Sequence, residues 1–123
     1  MGLNVLAVDD SKTMRMLLNH TLSGAGFDVT LAEDGLDGLE KLKEATPDVI
    51  ISDINMPNMD GFGFIGAVRA DERYRGLPIL ILTTESAQEL KEKARDLGAT
   101  GWIVKPFEDQ ALIGAIRRVS VGV

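Results

Sequence analysis

The 123-residue chain predicts an α/β fold, one doubly wound, five-stranded parallel sheet with five helices on its two faces. Three observations carry this. Short apolar runs alternate with helical apolar periods along the chain, which implies right-handed crossovers between parallel strands. The runs Leu3–Val8, Val49–Ser52 and Ile79–Leu82 are nearly continuous, as strands buried on both faces are. Four runs also end on residues that chemistry can use: Asp9-Asp10, Asp53, Thr83-Thr84 and Lys105-Pro106.

The first strand leads into a helix with apolar positions Met14, Leu17, Leu18, Thr21, Leu22 and Ala25, and with Gly24 and Gly26 as stops. Phe27–Leu31 is shorter and more mixed, as an edge strand is. Asp34 is placed to cap a helix with the stripe Leu36, Leu39 and Leu42, closed by Thr46-Pro47. After Val49–Ser52 and Asp53 comes the loop Asn55-Met56-Pro57-Asn58-Met59-Asp60-Gly61, then a helix from Phe62. Gly63 and Gly66 each weaken that helix by about 1 kcal/mol relative to alanine, so packing must hold it. Ile79–Leu82 is followed by a helix with Leu90, Ala94 and Leu97 on one face and a stop at Gly98. Trp102–Val104 is the fifth strand, and the last helix uses Leu112, Ile116 and Val119. The runs of strands one, three and four mark them as central; periodicity does not give the strand order.

Residues 1–123 are expected to form a single domain with no second, output domain. Hydrophobic content of 45% with 26% charged residues is that of an ordinary globular chain. No run approaches the roughly 18 apolar residues of a membrane span. Met1–Asn4 lacks the basic start of a signal peptide, so the expected location is the cytoplasm. Without cysteine there is no disulfide and no thiolate catalysis or metal site. A net charge of −6 argues against nucleic-acid binding, which needs a basic face. One histidine, His20, cannot build a multi-histidine metal centre and reads as a surface or half-buried residue on a helix flank.

If the runs are parallel strands, their carboxyl ends line one rim, where open α/β sheets bind ligands. Asp10 or Ser11 could simply cap the next helix, and that reading stands beside the functional one. Asp53 is harder to explain so. Neighbouring strands lie about 4.8 Å apart, so Asp9, Asp10 and Asp53 would repel if strands one and three pair. A raised pKa, a cation or a bound metal offsets such repulsion. Oxygen ligands suit Mg²⁺, Lys105 adds a fixed positive charge, and Thr83 adds a hydroxyl donor. These are the parts of phosphoryl transfer, in which aspartate is a known nucleophile.

The set Asp9-Asp10, Asp53-Ile54-Asn55-Met56-Pro57-Asn58-Met59-Asp60-Gly61, Thr83 and Lys105-Pro106-Phe107 resembles the receiver domains of two-component response regulators. The match covers essentially the whole chain, in order and spacing, and is nearest the single-domain chemotaxis regulators of the CheY type. The resemblance implies a flavodoxin-like sheet of order 2-1-3-4-5. It implies that Asp53 accepts a phosphoryl group from a sensor histidine kinase. It also implies that Asp9, Asp10, Asp53 and the Asn55 carbonyl hold Mg²⁺, with Asp9 acting mainly through water. Lys105, after a cis Lys105–Pro106 bond, and Thr83 would contact phosphoryl oxygens, with Thr83 moving inward on activation.

Trp102 stands where the family's switch aromatic is commonly tyrosine, so any contact through a tyrosine hydroxyl is absent here. A packed aromatic is the other reading of it. Asn55 and Glu85 border the expected route of hydrolytic water, although Glu85 also reads as a plain surface residue. Lys91, Arg95, Trp102 and Arg118 fall on the surface the family uses for output, although solvated helix charges are the default explanation of the three cations. The implied partners are a chemotaxis-type kinase and a flagellar motor switch or other downstream protein, met by a monomer. A phosphorelay intermediate or a phosphate sink is the alternative role. Two other classes are a Mg²⁺-dependent aspartyl phosphatase of the haloacid-dehalogenase type, which wants two Asp separated by one residue, and a flavin binder, which wants a phosphate-cradling loop where Asp9-Asp10 stand.

Overall fold

A computed structural model describes residues 2–120, so Met1 of the amino-terminal segment lies outside it. The order is β1 (Asn4–Val8), α1 (Lys12–Gly24), β2 (Asp28–Ala32), α2 (Gly35–Ala45), β3 (Val49–Ser52), α3 (Gly61–Ala70), β4 (Ile79–Thr83), α4 (Gln88–Leu97), β5 (Gly101–Val104) and α5 (Asp109–Val119). All four strand pairings are parallel and the sheet order is β2-β1-β3-β4-β5. The chain runs outward from β1 to β2, then crosses back over β1 to place β3 on its other side. The crevice between β1 and β3 is therefore the point where the winding reverses.

Alternation along the central strands builds two cores. Val5 and Ala7, Val49 and Ile51, Leu80 and Leu82 face α1 and α5, where Leu18, Leu22, Leu112, Ile113 and Ile116 meet them. Leu6 and Val8, Ile50, Ile79 and Ile81 face the other way, onto Leu42 of α2, Phe64, Ile65 and Val68 of α3 and Ala94 of α4. A period of two with both faces covered explains why these strands read as continuous apolar runs.

The caps settle one open reading and match one expectation. Ser11 caps α1, its hydroxyl accepting from Met14 N at 3.2 Å, which leaves the exposed Asp10 free of that task. Asp34 caps α2 as expected, accepting from Asp37 N at 2.8 Å. The third helix starts at Gly61, a residue earlier than its pattern suggests, because Asp60 accepts from Gly63 N at 2.8 Å. A 3-10 turn at Glu72–Tyr74, which periodicity did not show, joins α3 to β4; Asp71 caps it, accepting from Arg73 N at 3.0 Å. No helix among the described residues is long and apolar enough to cross a membrane.

Asp34 makes stability depend on pH. The backbone N–H of Asp37, then the side-chain amide of Asn58, holds its carboxyl below the usual carboxylate range. A depressed folded-state pKa gives stability that is present above the unfolded value of about 3.9 and fades as pH falls through the folded value. Asp34→Asn, which retains an acceptor for the cap, is expected to flatten that part of the acid unfolding curve. Equal acid dependence in both proteins, by urea unfolding at stepped pH, would contradict this.

Candidate functional site

The register of β1 and β3 builds the site. Val8 lies opposite Ser52, so the next residues, Asp9 and Asp53, leave the sheet side by side. Thr83 and Val104 are partners at the end of β4 and β5, so Lys105 leaves the sheet one strand beyond. Asp9 and Asp53 are buried, at 1% and 8% exposure, and Asp10 alone of the three acids is exposed. One carboxylate oxygen from each of Asp9, Asp10 and Asp53 falls within 4.8 Å of the others.

Lys105 closes this cluster. Its ammonium lies 2.7 Å from Asp9 Oδ2 and 2.9 Å from Asp53 Oδ2, with its side chain only 10% exposed. Burial alone pulls the Lys105 pKa down, but hydrogen bonds to and attraction by Asp9 and Asp53 outweigh it, and the net shift is upward. Lys105 therefore carries its charge at any pH near neutrality. The remaining carboxylate oxygens are held by backbone: Asp9 Oδ1 accepts from Ser11 N at 2.9 Å and Asp53 Oδ1 from Ile54 N at 2.6 Å. The one ammonium contacts two of the three carboxylates and leaves Asp10 unpaired by it, so the cluster retains an excess of negative charge.

Thr83 is fully buried at the end of β4. Its carbonyl accepts from Lys105 N at 2.8 Å and its hydroxyl from Glu85 N at 3.4 Å. The Lys105–Pro106 bond is cis. Asn55 is exposed on the loop after β3 and donates through Nδ2 to Glu85 Oε2 at 3.2 Å. Glu85 also receives, at its carbonyl, the indole N–H of half-buried Trp102 at 2.9 Å. One loop residue thus joins the acidic rim to the aromatic. Trp102 packs on the core shared with α3 and α4, and lines a groove with Lys91 and Arg95 of α4. Arg118 is exposed on α5 and does not line that groove.

Two features escaped the sequence. Arg15 of α1 donates from Nη1 to the Asp9 carbonyl at 2.7 Å, a second cation beside the acids. The only signal for it is its position one turn into α1. Asn58 donates to Asp34 Oδ2 at 2.8 Å, tying the loop after β3 to α2. A pair 24 residues apart leaves no periodic trace.

A family model described as the response regulator receiver domain matches residues 5–117. The chain belongs to that family. It is 43% identical to "Chemotaxis protein CheY1" of Helicobacter pylori strain J99, covering 89% of this chain and 90% of that protein. It is 34% identical to "Protein PilG" of Pseudomonas aeruginosa, covering 94% and 86% respectively. Among solved structures, chemotaxis protein CheY4 of Vibrio cholerae superposes with a TM-score of 0.92 at 49% identity, covering 97% of this chain and 99% of that one. The receiver is thus a CheY-like signalling module of the phosphorylation-dependent kind.

Receiver domains bind Mg²⁺ at an acidic pocket, and the residues here fit that ion. The donors are all oxygen, as Mg²⁺ prefers. Lys105 already occupies the position of a cation between Asp9 and Asp53.

Proposed function

We propose that Asp53 accepts a phosphoryl group from a phosphohistidine of a chemotaxis-type sensor kinase, and that the resulting state acts through protein contact. The observation that carries this is the Lys105 ammonium bridging Asp9 and Asp53 at the sheet's switch point. A Asp53 carboxylate oxygen attacks phosphorus, the P–N bond breaks, and the imidazole leaves with the electron pair. In this reading Lys105 turns from carboxylate to phosphoryl oxygen, and the Thr83 hydroxyl donates to another. Asp9, Asp10, Asp53 and the Asn55 carbonyl would hold Mg²⁺, which offsets the charge of the acids and of the phosphoryl group.

The relatives named for chemotaxis support output of that kind, and the contact surface we infer for it is Lys91, Arg95 and Trp102, which line one groove, with the exposed Arg118 of α5. A flagellar motor switch is the partner we infer for a cytoplasmic monomer. The module itself is a switch whose only chemistry is its own phosphorylation and dephosphorylation.

Trp102 is the single tryptophan, so its emission reports one site. Phosphorylation adds about −1.5 to −2 charge at the rim. Movement of Thr83 toward the new oxygens supplies the differential affinity that shifts the aromatic. With a stable phosphoryl mimic and Mg²⁺, acrylamide quenching of Trp102 is expected to fall in wild type and not in Thr83→Ala. Equal quenching with and without the mimic would make Trp102 a structural aromatic. Steady turnover of an added phosphomonoester would instead favour the phosphatase class.

A further inference from the structure

Resting on the assignment of Asp53 and its neighbours as the phosphoacceptor and Mg²⁺ site, the geometry points to Asp34 and Asn58 as a positioning pair that sets the loop carrying Asn55. The loop between β3 and α3 is closed at its base, where Gly61 N donates to Ile54 O at 2.8 Å. Position 61 has no room for a side chain, since a Cβ there would meet the Asp53 carbonyl and lie 2.8 Å from Ile54 Cα. At its far end the loop is held by a different element. Asn58 Nδ2 donates to Asp34 Oδ2 at 2.8 Å, and Gly35 N donates to Met59 O at 3.1 Å. A Cβ at position 35 would lie 2.6 Å from Met59 Cγ, so the first turn of α2 bears directly on the loop. Asn55 sits between these two fastenings.

Helix capping does not account for the pair. The cap uses Asp34 Oδ1, which accepts from Asp37 N at 2.8 Å, whereas Oδ2 accepts from Asn58 Nδ2 at 2.8 Å. Asp34 is 6% exposed, so both carboxylate oxygens are committed inside the structure. Asn58 is otherwise exposed and holds a left-handed backbone with φ of 67°. Asparagine tolerates that region and glycine does so with less strain, so the turn alone does not require an amide. A side chain that is free to point into water reaches instead for a buried carboxylate on another helix. Its consequence is to fix where the Asn55 carbonyl lies relative to Asp53.

Two substitutions remove this contact and keep the local fold. Asp34→Ser retains an α2 cap but is too short to reach Asn58, and Asn58→Gly retains the left-handed turn. Mg²⁺ affinity, measured by calorimetry on the folded protein, is expected to fall about tenfold in each, the scale typical of groups that orient metal ligands. The double variant is expected to lose no more than either single one, because both remove one interaction. Asp34→Asn, whose amide can still pair with Asn58, is expected to stay near wild type. Wild-type Mg²⁺ affinity in both single variants, with only their melting temperatures lowered, would overturn the pair's role, as would fully additive losses. Wild type and Asp10→Ala belong in the same series. Failure of wild type to bind Mg²⁺ would overturn the phosphoacceptor reading as well, whereas normal wild-type binding with unaffected variants would overturn the positioning role alone.

Discussion

Asp53→Asn is expected to abolish phosphorylation by acetyl phosphate with Mg²⁺ while leaving a folded protein. The loss is complete because the reaction needs a carboxylate nucleophile, and a neutral amide offers a far weaker one. Retention of the fold follows from the contacts. Asp53 is not the exposed rim group that its place at a strand end suggests; it is buried and paired with Lys105 at 2.9 Å. Asparagine keeps an acceptor oxygen for Ile54 N or Lys105, and Lys105 keeps Asp9 at 2.7 Å. The lost charge contact and the relieved repulsion between acids oppose each other, so stability should change by about 1 kcal/mol or less. Intact-mass measurement checks the adduct, and urea unfolding checks the fold.

Asp10→Ala is expected to lower Mg²⁺ affinity by more than about a hundredfold, beyond the range seen when only an orienting group is lost. Asp10 is the exposed member of the cluster, and Lys105 is engaged by the other two acids. Its charge is therefore the one that Lys105 does not offset. For the same reason the metal-free variant should be slightly more stable than wild type. Carboxylates about 5 Å apart repel by about 1 kcal/mol in water, and Asp10 is well solvated. A thermal melt without metal and a Mg²⁺ titration test both halves. An unchanged Mg²⁺ affinity would remove Asp10 from the ligand set.

The cluster was legible in the sequence because it obeys the simplest geometry of the fold. Val8 and Ser52 end their strands opposite each other, and Thr83 and Val104 end theirs opposite each other two residues further on, so whatever follows them gathers at one end of the sheet. The strand order was not legible from periodicity. Val5–Val8, Val49–Ser52 and Ile79–Leu82 are all fully buried runs, so their pattern does not say which of them are neighbours. That order came from the resemblance to receivers and is the one observed. The strand edges moved by a residue, to Asn4, Asp28 and Gly101, where backbone pairing and not hydrophobicity sets the limit. Contacts between distant polar residues left no trace. Glu85 joins Asn55 to Trp102, and Arg15 reaches the Asp9 carbonyl, through side-chain geometry that no run of residues encodes.

The most direct measurement is to locate the phosphoryl group itself. After brief exposure to acetyl phosphate and Mg²⁺, borohydride reduces an aspartyl phosphate to homoserine, which tandem mass spectrometry places in the sequence. Homoserine at position 53 alone is expected, with none formed when Mg²⁺ is withheld. A modified Ser52 or Thr83, or homoserine at position 9 or 10 with Asp53 intact, would contradict the assignment of Asp53 as the acceptor.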